Sequence, residues 1–176
     1  MTITSANTSI NKTKPPAIVK LVEKIGGFKR GQSVFDYGCG KYPDVTEKAI
    51  QGKTRVRYAG YDLYNRTQEE NDKACREIPE GCAHVVLLSN VLNVIHPRAI
   101  QAVTAIRAQE KLRIGGTLYI TVYEGDKSGS GRMTKEDCWQ ENRKTEDYMP
   151  MLRDIFGEEN VTRKGKLIIA QKTKEL

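Results

Sequence analysis

No apolar run in this 176-residue sequence approaches the roughly 18 residues needed to span a bilayer, so no membrane partner is expected. Residues 1–14 are rich in Thr, Ser, Asn and Lys and lack an apolar centre, which argues against a secretory signal peptide. Cysteine is sparse and scattered: Cys39, Cys75, Cys82 and Cys138 form no Cys-x-x-Cys pair. A zinc site is therefore not expected. Without a secretion signal, the four thiols are expected reduced, in the cytoplasm. The net charge of +7 comes with no RNP, zinc-finger or basic-zipper signature. Its cations are spread out, with Lys12, Lys14, Lys20, Lys24, Lys29 and Arg30 near the start and Arg163, Lys164, Lys166, Lys172 and Lys174 near the end. Such a balance is compatible with nucleic acid as partner and equally with simple solubility.

What is present is an ordinary globular composition, 38% hydrophobic and 29% charged, in a length that fits one domain with one core. Residues 1–16 read as a flexible lead-in ending at Pro15-Pro16, and residues 17–176 as a single domain. Residues 17–25 place Ile18, Leu21, Val22 and Ile25 at helical spacing, stopped by Gly26-Gly27. Short apolar runs at 33–37, 55–63 and 84–90 read as strands; the continuous run of the last suits burial on both faces. Helices are expected over 44–51 and 97–111, with a short one within the polar segment 65–80. Gly115-Gly116 reads as a turn into a strand at 117–123, and 124–132 as a Gly/Ser-rich loop. A helix over 145–156 contains Pro150, which delays or kinks it. Val161 and residues 166–171 suggest a closing pair of strands. Strands alternating with helices imply an α/β domain: a three-layer Rossmann-like sheet, mostly parallel, with helices on both faces.

The strongest local signal is a strand, then Asp36-Tyr37-Gly38-Cys39-Gly40-Lys41-Tyr42-Pro43-Asp44, then a helix. Gly38 and Gly40 let a ligand lie against the main chain, at the strand's carboxyl end where open α/β sheets bind ligands. Dinucleotide loops carry a third glycine and leave the helix N-terminus for a pyrophosphate. Tyr42 and the Asp44 carboxylate occupy that place here, a poor match for phosphate. The Asp36 carboxylate suits a cationic ligand region instead, an amino group or a sulfonium. The second signal is Tyr58-Ala59-Gly60-Tyr61-Asp62. An acid closing the second strand can accept from both ribose hydroxyls; alternatively, Asp62 opens a turn before Asn65.

Together, Val34-Phe35-Asp36-Tyr37-Gly38-Cys39-Gly40 and Gly60-Tyr61-Asp62 resemble the first two motifs of class I S-adenosylmethionine-dependent methyltransferases. Residues 85–92 are similar to that family's fourth strand and the loop after it, and residues 112–118 resemble the turn into its fifth. The resemblance spans roughly residues 17–125 and implies S-adenosylmethionine as cofactor and S-adenosylhomocysteine as product. It implies that Asp36 lies near the methionine amino group, with Tyr37, Gly38, Cys39 and Gly40 lining it. Asp62 with Leu63 would hold the ribose side, and Asn90 with Val91 would close the pocket. Tyr42 replaces the usual third glycine. The adenine-contacting acid has no clear counterpart, Glu77 and Glu80 being the nearest acids. No Asp-Pro-Pro-Tyr or Asn-Pro-Pro-Tyr follows the fourth-strand segment, which argues against exocyclic base methylation.

Methyl transfer from a sulfonium is an in-line displacement, so the protein mainly aligns the acceptor and excludes water; a base is needed only where the nucleophile must lose a proton. Candidates on the acceptor side are Asn90, Asn93 and His96, then Tyr123 and Glu124, and Trp139. His96 can equally serve the helix entry at Pro97, and both asparagines can serve turn backbone. Residues 124–144 read as a mobile flap over the substrate, placing the only tryptophan beside Gln140, Asn142, Arg143 and Lys144. Five basic residues balance five acidic ones there, so it is no simple phosphate-binding arm. The expected function is methyl transfer to an unidentified acceptor, nucleic acid or small molecule. The rival is a non-catalytic S-adenosylmethionine-binding or interaction protein on the same fold. A nucleotide-binding Rossmann enzyme is disfavoured by the missing glycine.

Overall fold

The computed structural model describes residues 3–8, 12–52 and 54–174. In chain order its elements are α1 (Ala17–Lys24), β1 (Ser33–Tyr37), α2 (Pro43–Gln51), β2 (Arg57–Tyr61), α3 (Gln68–Glu77) and β3 (Ala83–Ser89). There follow α4 (Arg98–Lys111), β4 (Leu112–Thr121), β5 (Gly131–Lys135), β6 (Cys138–Glu141), α5 (Met149–Phe156), β7 (Val161–Lys164) and β8 (Leu167–Gln171). Among the described residues, no helix is long and apolar enough to cross a membrane.

Six strands form one sheet in the order β2-β1-β3-β4-β8-β7. The first four are parallel, and β8 joins β4 antiparallel with β7 outside it. Strand alternation splits the core between two faces. Val34, Tyr58, Val85, Leu87 and Tyr119 meet Ile18, Val19 and Val22 of α1 and Ile50 of α2. Phe35, Val86, Leu88, Leu118 and Ile120 meet Ala74 of α3, Ala105 and Ala108 of α4, and Leu152 and Phe156 of α5. Each large apolar side chain so buried contributes about 1.5–3 kcal/mol. The three-layer, mostly parallel α/β architecture is the one expected from the sequence.

Local chemistry explains the boundaries. α1 stops where Gly26, at φ 68°, donates to Glu23 O and Gly27 donates to Val22 O, both at 2.9 Å. α3 is longer than the short helix expected, because Thr67 and Glu70 close a reciprocal capping box. Pro150 sits in the first turn of α5, after a 3₁₀ turn at Thr145–Tyr148, so the helix starts late. Pro97 immediately precedes α4.

One expectation is corrected. Gly115-Gly116 is not a turn before a strand but a bulge inside β4: Gly115 takes φ 80° and donates its N–H to Lys172 O, while Gly116 O accepts from Lys172 N. Within residues 124–144, β5 and β6 pair as an antiparallel hairpin, and Gln140, Glu141 and Asn142 are buried. Residues 3–8 of the lead-in are anchored. Ser5 is buried and donates to Val94 O at 2.9 Å, while Trp139 N donates to its hydroxyl at 3.1 Å. Thr4 N donates to Asp137 Oδ1 at 2.7 Å. The remainder of the lead-in at 1–2 and 9–11 lies outside the described residues.

Candidate cofactor site

β2 and β3 flank β1 on opposite sides, so the chain reverses its direction across the sheet at β1. The crevice beyond the carboxyl ends of β1 and β3 is where ligands bind in such sheets. The Gly38-Cys39-Gly40 loop leaves β1 there, Asn90-Val91 leaves β3, and Asp62 leaves β2. Gly38 N and Cys39 N both donate to Tyr61 O, at 2.7 and 3.0 Å, tying the loop to the end of β2. Gly38 takes φ 89°, and a Cβ there would stand 2.5 Å from Val91 Cγ2. Glycine is thus required twice over, by backbone conformation and by the approach of the loop after β3. Gly60 is required by a similar approach: a Cβ would meet Pro43 and Cys39 at about 3 Å.

Asp36 is 2% exposed. Its Oδ2 accepts from Tyr58 OH at 2.7 Å, while its Oδ1 is buried with no partner. Burial, opposed by the Tyr58 bond and reinforced by nearby Asp62, pushes its carboxyl up to about 7. An unpaired buried acceptor beside a glycine loop suits a cationic donor. Asp62 is also buried and ties the site together: Oδ2 accepts from Gly40 N at 2.9 Å, and Oδ1 accepts from Tyr64 N, Asn65 N and Asn65 Nδ2 at 2.8–3.2 Å. Both the loop contact and the turn before Asn65 are therefore present. Asn71 on α3 clamps the Asp62 backbone from both sides, accepting from its N–H at 3.0 Å and donating to its carbonyl at 2.9 Å.

The other cofactor candidates have distinct placements. Tyr37 turns to the opposite face from Asp36, its ring 5.0 Å from that of Tyr61, and burial pushes its phenol up to about 12. Cys39 packs toward Gly60, and burial followed by the Asp36 and Asp62 charges raises its thiol. Leu63 is largely exposed. Asn90 is exposed at φ 55° and donates its backbone N–H to Thr121 O. Glu77 closes α3 and Glu80 lies in the turn before β3, at the amino edge of the sheet. That places both acids away from the glycine loop.

On the acceptor side, several candidates are engaged in structure. Asn93 is 1% exposed and donates to Gln140 Oε1 at 3.2 Å. Glu124 accepts from both Thr145 N and Oγ1 at 2.9 Å, which holds its carboxyl below the usual range. Trp139 lies over Gly131, stacks on exposed His96 with ring centroids 4.1 Å apart, and donates Nε1 to Glu141 Oε2 at 3.2 Å. Glu141 in turn accepts from Arg98 Nε at 2.9 Å. Tyr123 is exposed, and its carbonyl accepts from Gln140. Sequence reasoning missed Tyr58, Asn71 and Ser5. The alternation of β2 could have found Tyr58, which shares a face with Asp36; nothing local marks the other two. Among the described residues, no group of three or more His, Cys, Asp or Glu side chains could hold a metal ion.

No family model matches the sequence, and neither does any curated protein. Solved structures do match in fold. One is the 1,6-didemethyltoxoflavin-N1-methyltransferase of Burkholderia thailandensis, solved with 1,6-didemethyltoxoflavin and S-adenosylhomocysteine: TM-score 0.62, 19% identity, 89% of this chain and 77% of that one. Another is a SAM-dependent methyltransferase of Methanosarcina mazei: TM-score 0.63, 12% identity, 87% of this chain and 98% of that one. A third is a 16S rRNA N2 methyltransferase of T. thermophilus, in complex with AdoMet and guanosine: TM-score 0.52, 17% identity, 90% of this chain and 39% of that one. With the switch point at β1, these likenesses establish that the chain has the class I, Rossmann-like fold of S-adenosylmethionine-dependent methyltransferases.

Proposed function

We propose that this chain binds S-adenosylmethionine across the β1–β3 switch point and transfers its methyl group to an acceptor at the same sheet edge. The observation that carries this is Asp36, a buried carboxylate with one unpaired oxygen beside a loop in which Gly38 takes φ 89° close under Val91. Asp36 Oδ1 accepts from the amino group of the cofactor. Gly38 and Gly40 offer bare backbone, and Val91 walls the loop. Asp62 Oδ2, with a single donor in Gly40 N, is the oxygen left for a ribose hydroxyl. Exposed Leu63 gives apolar cover at the rim.

S-adenosylmethionine supplies a methyl on a sulfonium, a leaving group that is already activated. The chain's own task is alignment and exclusion of water. Asn90, His96 and Tyr123 are the exposed candidates for meeting the acceptor, and the β5–β6 hairpin with Trp139 forms its wall. The acceptor is a nucleic acid or a small molecule, the two kinds of substrate found among the structural neighbours. The domain covers residues 17–176, and its four free cysteines fit a reducing cytoplasm.

The engagement of Asn93 and Glu124 in structure favours a second reading, a protein that binds the cofactor without turnover. Methyl-labelled S-adenosylmethionine offered to RNA, DNA, protein and a metabolite extract separates the two. Label entering any one fraction supports transfer. Tight S-adenosylhomocysteine binding with no label transferred supports the non-catalytic reading.

A further inference from the structure

A cleft of about 320 Å³ opens at the amino-terminal edge of the sheet, at the other end of the strands from the glycine loop. Lys29, Gln32, His84 and Arg113 line it together with Val85 and Tyr119, and its lining contains no carboxylate. Lys29 and Arg113 are exposed, as is Arg57 at the start of β2, and none of the three has an ion pair among the described residues. Elsewhere Arg66, Arg98, Arg107, Arg153 and Arg163 each meet a carboxylate. The cations of this edge therefore converge on a cleft whose lining offers them no carboxylate.

His84 adds an oriented ring. Ser33 Oγ donates to Cys82 O at 2.9 Å, and Ser33 N donates to His84 Nδ1 at 3.2 Å. Ser33 Oγ also lies 2.8 Å from His84 Nδ1, so Ser33 fixes the ring at the start of β3. Burial, then the Arg113 and Arg57 guanidinium groups, hold the ring's pKa below its ordinary value. Gly27 fixes the floor, because a Cβ there would stand 2.6 Å from Tyr119 OH.

We propose that this cleft binds a phosphate group, carried either by a small phosphate ester or by a nucleic-acid backbone. Arg113 offers a planar fork matched to two phosphate oxygens and Lys29 a mobile point charge. The Gln32 amide offers a neutral donor beside the His84 ring, and Val85 with the Tyr119 ring gives a small apolar floor for the organic part. The cleft and the glycine loop sit at opposite ends of β3, about 20 Å apart at about 3.3 Å per residue. The phosphate is therefore an anchoring contact remote from the methyl group, and the inference stands independently of methyl transfer.

The test is calorimetry at low salt on the full chain, with inorganic pyrophosphate and with a single-stranded RNA of about 12 nucleotides as probes. Lys29→Glu/Arg113→Glu is compared with Lys164→Glu/Lys166→Glu, which changes net charge equally at another exposed site. The cleft variant should lose pyrophosphate affinity by about tenfold or more, and the control by less than about twofold. RNA that binds more tightly than pyrophosphate and suffers the same loss identifies a nucleic-acid backbone as the source. Loss confined to pyrophosphate identifies a free ester. No binding of either probe to the wild-type chain, or equal losses in both variants, overturns the proposal. Unfolding temperature confirms that each variant is folded.

Discussion

At the scale of single residues, Asp36 is a carboxylate that folding works against. Burial pushes its carboxyl up to about 7, from the ordinary 3.8 that it keeps in the unfolded chain. Between those values the folded state holds a proton that the unfolded state has lost, so stability falls as pH rises through that window. Asp36→Asn removes the loss. It should raise unfolding free energy at pH 8 by about 1–3 kcal/mol and change it little near pH 4, by thermal or denaturant unfolding. The same variant should bind S-adenosylhomocysteine far more weakly. A variant less stable than wild type at pH 8 would contradict the burial account. Gly38→Ala tests the loop: with φ at 89° and Val91 in the way, it should cost about 1–3 kcal/mol and abolish ligand-induced stabilisation. Unchanged stability would show that the loop relaxes freely. Asp36, Gly38, Gly40 and Asp62 were legible because local order fixes their place at strand ends. Tyr58 and Asn71 were not, because their roles depend on which strands and helices become neighbours.

At the scale of elements, the β5–β6 hairpin is the largest departure from the sequence reading. Its first strand is exposed over Arg132–Lys135 and carries no apolar alternation, so its glycines and charges read as loop. What holds it is polar: Glu141, its side chain 2% exposed, is bound by Arg98 and by Trp139. Arg98→Ala should destabilise the chain by about 1–3 kcal/mol by leaving that carboxylate unpaired, and Glu141→Gln in the same chain should recover most of it. A denaturation series on the single and double variants measures both; additive losses would rule out the pairing. Trp139→Ala should leave S-adenosylhomocysteine affinity within about twofold while lowering transfer to the acceptor, if the hairpin is the acceptor's wall. Undiminished transfer would move acceptor recognition to Asn90, His96 and Tyr123. Residues 3–8 were illegible for a similar reason, since Ser5 and Thr4 are held by hydrogen bonds that composition does not signal. The helices and sheet strands were legible, because apolar periodicity records burial against neighbours.

At the scale of the whole molecule, one sheet presents two different edges. The carboxyl edge gathers buried carboxylates and glycines around the β1 switch point; the amino edge gathers unpaired cations around a cleft. The parallel order at the centre follows from crossover helices that bury both faces, which is why the alternation of strands and helices sufficed to give the layers. The division of charge between the edges was hidden, because the basic residues are distant in sequence and meet only in the folded sheet. Binding of S-adenosylmethionine at the carboxyl edge is tested by calorimetric titration of the wild-type chain with S-adenosylhomocysteine at pH 8. Saturable one-site binding is expected at about micromolar concentrations, with a matching rise in unfolding temperature. No heat and no thermal shift at about millimolar ligand, from a chain that is folded, would contradict it.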